Sequence, residues 1–165
     1  MACTIEDHAI GRSRGGLTTK IHALTNQAAD PVIVQLTGGQ DGDNPELLPL
    51  LKAHELFHGP ARKNRVQLLA DQAYSHPSTR KELRRRRIGH TIPERLDQKA
   101  RCKTKGTAGG RPAAFAADLY RLRDTVERGF GRLKQWRGIA TRYDKYALTF
   151  LGGVLLASSV LHLRH

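Results

Sequence analysis

The chain has 165 residues, enough for one domain with a single buried core. Lys and Arg number 28 against 15 Asp and Glu, a formal charge of +13, and 39% of the residues are hydrophobic, which excludes a chain too polar to fold. So basic a balance favours a polyanionic partner, because each neutralised phosphate releases counterions, but charge alone does not separate DNA from RNA or an anionic membrane surface.

The segment from Met1 to His8 lacks a basic stretch followed by an apolar one, so no signal peptide is expected. Gly11 to Gly16, with Arg12 and Arg14, reads as a basic glycine-rich loop. Leu17 to Leu24 alternates apolar and polar residues as a strand does, and Val32 to Thr37 reads as a second strand paired with it across the turn residues Asn26 to Pro31. Asn44-Pro45-Glu46 predicts a helix start, with Asn44 as cap and the helix running to about Phe57. Asp41 and Asp43 precede that start without a downstream acid at calcium-loop spacing, which favours turn and cap roles.

Val66 to Ala70 is a short apolar strand ending on Asp71. Ser78 or Thr79 is placed to cap a basic helix through Arg84, Arg85, Arg86 and Arg87, and His90 to Pro93 reads as another strand. Glu94 to Pro112 is polar, basic and glycine-containing, which predicts a mobile loop. Two helices follow, roughly from Ala113 to Trp136 and from Tyr146 to Leu163. The apolar run from Phe150 to Leu163 is shorter than the roughly 20 residues of a membrane span and reads as a buried core helix. Cys3 and Cys102 form no CxxC pair, and the histidines form no zinc pair, so neither a metal finger nor a disulfide framework is expected.

The informative stretch runs from Tyr120 to Lys134. At about 100° per residue, Tyr120, Arg123, Glu127 and Lys134 fall within a sector of roughly 60° on a helix. Leu119, Leu122, Val126, Phe130 and Leu133 form an apolar stripe beside them. A strip of this kind is ordinarily a solvated face with ion pairs. Gly129 and Gly131 each cost a helix about 1 kcal/mol against alanine, which suggests a close approach of another backbone or a ligand. An aspartate closing an apolar strand, such as Asp71, is by itself usually a turn residue or a cap.

The spacing Tyr-x2-Arg-x3-Glu-x6-Lys resembles the signature helix of bacterial insertion-sequence transposases of the DDE type. The surroundings resemble the insertion-sequence-five family: Gly11 to His22, Leu69-Ala-Asp-Gln-Ala-Tyr74, and Ile139 to Lys145. The resemblance covers nearly the whole chain, as the carboxyl-terminal part of the catalytic domain. It implies an α/β, RNase H-like (retroviral-integrase-like) fold, a mixed sheet flanked by helices and lacking the first strand. It implies that Asp71 and Glu127 are catalytic carboxylates holding Mg²⁺ or Mn²⁺. Tyr120, Arg123 and Lys134 would position phosphates at the transposon end, and Arg84 to Arg87 either line a DNA channel or solvate a helix face.

The family's first aspartate lies a few tens of residues before the glycine-rich motif, whereas this chain begins ten residues before it. Asp7 is a weak substitute, so the chain alone is expected to be inactive. The partners implied are insertion-sequence ends and target DNA, the missing amino-terminal transposase segment and a second copy in a homo-oligomer, in a bacterial cytoplasm at the nucleoid and with no membrane. The rival reading is a truncated, non-catalytic DNA-binding protein that inhibits or modulates transposition. A basic RNA-associated protein is a third, but no RNP, KH or double-stranded-RNA pattern supports it.

Overall fold

A computed structural model describes residues 8–59, 66–109 and 112–164 as a mixed α/β fold. Strand β1 (Gly11–Ser13) pairs antiparallel with β2 (Gly16–Thr25), and Ser13 faces Gly16, so Arg14 and Gly15 turn a tight hairpin. The glycine-rich segment is thus a hairpin and not an open loop. Gly16, with φ +108°, supplies the backbone conformation that other residues rarely adopt. β2 pairs next with β3 (Pro31–Gly38), in register from Thr19 opposite Gly38 to Leu24 opposite Ile33. That hairpin matches the alternation in the sequence.

Helix α1 (Asp43–His58) begins two residues earlier than expected, after Gly42, with no side-chain cap. Asn44 does not cap it; its Oδ1 accepts from Thr79 Oγ1 at 3.0 Å, tying α1 to the next helix. Asp41 does take a turn role, accepting from the Gly38 N–H at 2.9 Å. Strands β4 (Gln67–Leu69) and β5 (Gly89–Thr91) are parallel, and helix α2 (Pro77–Arg85) forms the crossover that parallel strands require. His76, and neither Ser78 nor Thr79, caps α2, its Nδ1 accepting from the Ser78 N–H at 3.3 Å.

The expected mobile loop contains helix α3 (Leu96–Thr104) and a 3-10 turn at Gly106–Gly109. Its composition is polar, yet Lys, Arg, Gln and Ala are good helix formers. Gln98 Oε1 accepts from the Arg95 N–H at the start of the helix, and Arg101 pairs with Asp97 one turn away. The single helix expected from Ala113 begins later and is interrupted: α4 (Ala117–Tyr120), a 3-10 turn (Arg121–Arg123), then α5 (Asp124–Lys134). A short α6 (Arg137–Ala140) and α7 (Ala147–His162) complete the chain.

α1 and α7 cover opposite faces of the β2–β3 hairpin. Leu24 packs with Leu47, Leu51, Leu68, Leu83 and Ile92, while Ile21, Val34 and Leu36 pack with Leu133, Phe150, Val154 and Leu161. α7 is not the fully buried helix expected. Leu148, Leu155 and Leu156 are exposed on its outer side, and no helix is long and apolar enough to cross a membrane among the described residues. The expected single mixed sheet is instead two sheets, β1-β2-β3 and β4-β5.

Gly129 is where α5 meets the β2–β3 turn. A Cβ there would lie 2.5 Å from the Ala29 carbonyl oxygen, whereas one at Gly131 would meet nothing within 4 Å. Gly129→Ala should therefore destabilise by about 1–3 kcal/mol, as overpacking does, and Gly131→Ala should stabilise by up to about 1 kcal/mol. Urea denaturation of the two variants checks the opposite signs.

Candidate active site

β4 delivers Asp71 to the sheet edge. Asp71 Oδ1 accepts from the Ala73 N–H at 2.8 Å and so caps the 3-10 turn Gln72–Tyr74. The capping role and an outward role coexist, because Asp71 also lines a cavity of about 280 Å³ with Lys20, His22, Asp43, Tyr74, Arg123, Val126 and Phe130. Arg95, which precedes α3, and Gln98 within it donate to the Gln72 and Ser75 carbonyls, at 3.2 and 3.3 Å, and brace that turn. Buried Arg80 bonds the Ile92 carbonyl from the other side at 2.8 Å.

The cavity holds charges of both signs. Lys20 pairs with Asp43 at 2.9 Å. Tyr74 is pushed up to about 12, first by burial and then by the negative charges of Asp43, Asp71 and Glu46. Its phenol therefore stays a proton donor at neutral pH. His22 Nε2 lies 2.8 Å from Thr37 Oγ1. Burial pushes the His22 ring below its ordinary value, against the opposite pull of Asp43 and Glu46.

A depressed histidine takes up a proton less readily folded than unfolded. The stability it permits is complete at neutral pH and declines as pH falls below about 6.5. His54, also lowered by burial, acts in the same direction. His22→Gln should flatten the decline in folding stability between about pH 6.5 and 5, measured by urea denaturation at each pH.

Arg123 reaches the same cavity from the 3-10 turn before α5. Its Nη2 donates to Glu127 Oε1 at 2.6 Å, and its guanidinium lies 5.8 Å from the centre of the Tyr120 ring. Three of the four residues of the signature strip thus interlock. Lys134 does not join them: it is exposed and lines a separate groove of about 750 Å³ with Thr18, Arg142, Tyr143 and Lys145. The basic run also divides. Arg85 and Arg86 hold Glu82, at 2.6 and 2.8 Å, and draw its carboxyl down to about 2. Arg84 and Arg87 are exposed and make no ion pair among the described residues.

Sequence reasoning placed Asp43 in a cap and left Tyr74 inside a motif with no role, yet both line the cavity. Their distance along the chain from Asp71 and Glu127 hides this. The one legible signal was the shared strand face of Lys20 and His22, both of which do line it. Asp7 lies outside the described residues. Among those described, no three His, Cys, Asp or Glu residues gather as a metal-holding group.

The family model for the transposase DDE domain matches residues 4–160. The chain belongs to that family. A protein of Brucella ovis described as "Putative transposase for insertion sequence element IS6501" is 30% identical over 148 residues, which span 90% of this chain and 100% of that protein. No solved structure matches the chain significantly. DDE transposase domains generally use divalent metal ions. In this transposase chain Asp71 offers hard carboxylate oxygen of the kind such ions take. Glu127 offers the same chemistry once released from Arg123.

Proposed function

We propose that this chain supplies Asp71 and Glu127 to a transposase active site that cuts DNA phosphodiesters at insertion-sequence ends and joins them to target DNA. One observation carries the reading: Asp71 and Arg123, the ion-pair partner of Glu127, line one cavity beside Lys20 and Tyr74. A strand end and a helix hold carboxylates more rigidly than loops do, as metal ligands require. Bound Mg²⁺ or Mn²⁺ would activate the attacking hydroxyl and stabilise the leaving oxygen. Arg123, released from Glu127 when that acid turns to a cation, would take a phosphate oxygen, and Tyr120 would support its guanidinium. The fold we assign is RNase H-like, with the sheet incomplete at its centre, and the setting is the bacterial cytoplasm at the nucleoid.

Two carboxylates do not complete a two-cation site. The isolated chain should therefore nick an end-containing duplex poorly with Mg²⁺ or Mn²⁺, and a transposase segment bearing a further aspartate, added in trans, should raise nicking. Robust nicking by the chain alone, lost in Asp7→Ala, would overturn that reading. The second reading, a non-catalytic DNA-binding product, draws on the absence of a third gathered carboxylate among the described residues. It requires that the added segment restore nothing.

DNA binding should persist in either case and weaken with salt. Removing one basic group that touches phosphate reduces the slope of log affinity against log salt by about 1. Arg84→Ser with Arg87→Ser should thus lower the slope by about 2 if both touch phosphate. Arg85→Ser and Arg86→Ser should change it less, because Glu82 already holds those guanidiniums. Filter binding at graded salt measures the difference, and an unchanged slope in all variants would move the DNA-binding face to Lys134, Lys145 and α3.

A further inference from the structure

Helix α1 ends on His54-Glu-Leu-Phe-His58. No zinc pair is expected among the scattered histidines, yet one turn of helix brings these two together. Residues four apart are neighbours on a helix face. The His54 and His58 rings are centred 4.6 Å apart, with 32° between their planes. Two imidazole nitrogens held by one tetrahedral Zn²⁺ at about 2.0–2.1 Å stand about 3.4 Å apart. Rings placed as these are reach that separation by small rotations about their side-chain bonds.

Both rings and Glu55 line a second cavity, of about 460 Å³, together with Asn26 and Gln27 of the β2–β3 turn. His54 is half-buried and His58 exposed, so packing steadies one ring while solvent reaches the other. Glu55 is held at 3.4 Å by Arg86, whose shorter bond of 2.8 Å goes to Glu82. Its negative charge stands beside the pair and favours a cation there. Two protonated histidines would also suit the negative end of a helix. Burial and the neighbouring His58 ring work against that use, because both pull His54 below its ordinary value. The neutral imidazole that results is the form that takes a metal.

We propose that His54 and His58 form a chelating site for one borderline divalent cation, Zn²⁺ or a close relative such as Ni²⁺ or Cu²⁺. Imidazole suits these ions, whereas Mg²⁺ takes oxygen ligands. The site is therefore chemically distinct from that at Asp71, which lines the other cavity and not this one. The spacing His-Glu-x-x-His on a helix is shared by hydrolytic zinc sites, which add a third protein ligand. Among the described residues no such group of three gathers, so water fills the remaining positions of the ion. With two protein ligands the site binds the cation and clips the last turn of α1. It stands whatever chemistry occurs at Asp71.

The test uses the full chain without DNA, and the probe is Zn²⁺ alone. The ring signals of His54 and His58 in NMR should shift together and saturate at one equivalent. Amide exchange in the last turn of α1 should slow by up to about 100-fold at free Zn²⁺ 100 times Kd. His54→Gln and His58→Gln should each weaken binding about 10-fold or more, since losing a ligand costs no less than losing a residue that orients one. Neither ring is fully buried, so both variants should keep the fold, which circular dichroism checks. Excess Mg²⁺ should leave the ion in place, and so should Asp71→Asn. Unchanged affinity in either glutamine variant, rings that shift at different Zn²⁺ concentrations, or displacement by Mg²⁺ would overturn the proposal. Shifts spread over all eight histidines without preference for this pair would mean adventitious binding only, and would overturn it too. Because no cleavage is read, failure here leaves the acid roles of Asp71 and Glu127 intact.

Discussion

With a segment bearing a further aspartate supplied in trans, Asp71→Asn and Glu127→Gln are each expected to lower end cleavage by about 10³-fold or more. A carboxamide keeps the shape of the acid and loses the charge that holds a cation, which removes several kcal/mol of transition-state stabilisation, at about 1.36 kcal/mol per tenfold. Asn is as good a cap as Asp, so Asp71→Asn should keep the Ala73 hydrogen bond and the local fold. Glu127→Gln loses the ion pair with Arg123, on a glutamate whose side chain is 66% exposed. An exposed pair contributes little to stability. Loss of activity in either variant should therefore leave the denaturation midpoint nearly unchanged. Asp43→Asn, which breaks the pair with Lys20, is expected to impair cleavage less. Cleavage at the unmutated rate by Asp71→Asn would remove this residue from the site.

Truncating the core should have the largest effect on stability, and a local one. Leu83 and Leu133 are each fully buried, one in the cluster under α1, β4 and β5 and the other beneath α7. Leu→Ala at either position should cost about 2–5 kcal/mol through lost burial and the cavity left behind. The two clusters share no buried residue, so their losses should separate. In amide exchange, Leu83→Ala should loosen β4 and β5 first, and Leu133→Ala should loosen α5 and α7 first. Equal loosening everywhere by both variants would mean that the halves open as one unit, contrary to a core divided into two clusters.

The elements with strong local signals were legible in the sequence. The alternation of Leu17 to Leu24, the apolar stretch before Asp71 and the run from Tyr146 to Leu163 place β2, β4 and α7 within a few residues of where they occur. What depends on tertiary partners was not. Asn44 has the right chemistry for a cap, but Thr79 from a distant helix takes its oxygen. α3 was hidden because loops and exposed helices share a polar composition, and its hydrogen bonds to the Gln72 and Ser75 carbonyls cross more than twenty residues. At the site, the spacing from Tyr120 to Glu127 foretold an interlocked group. Lys134 shares the helix face of Glu127 but stands about two turns, roughly 10 Å, further along the axis, where it lines another groove. Gly129 was legible as a close approach, and Gly131 was not distinguishable from it until Ala29 was seen beside only one of them.

The central claim is that Asp71 and Glu127, 56 positions apart in the chain, serve one cation site. Paramagnetic broadening by Mn²⁺ tests it most directly, because it reads proximity to the ion without requiring cleavage. Titration of the full chain should broaden the amide signals around Asp71 and those around Glu127 together, with one apparent affinity. Asp71→Asn should weaken both sets in parallel. Broadening around one acid only, or broadening at Glu127 that persists unchanged in Asp71→Asn, would contradict a shared site.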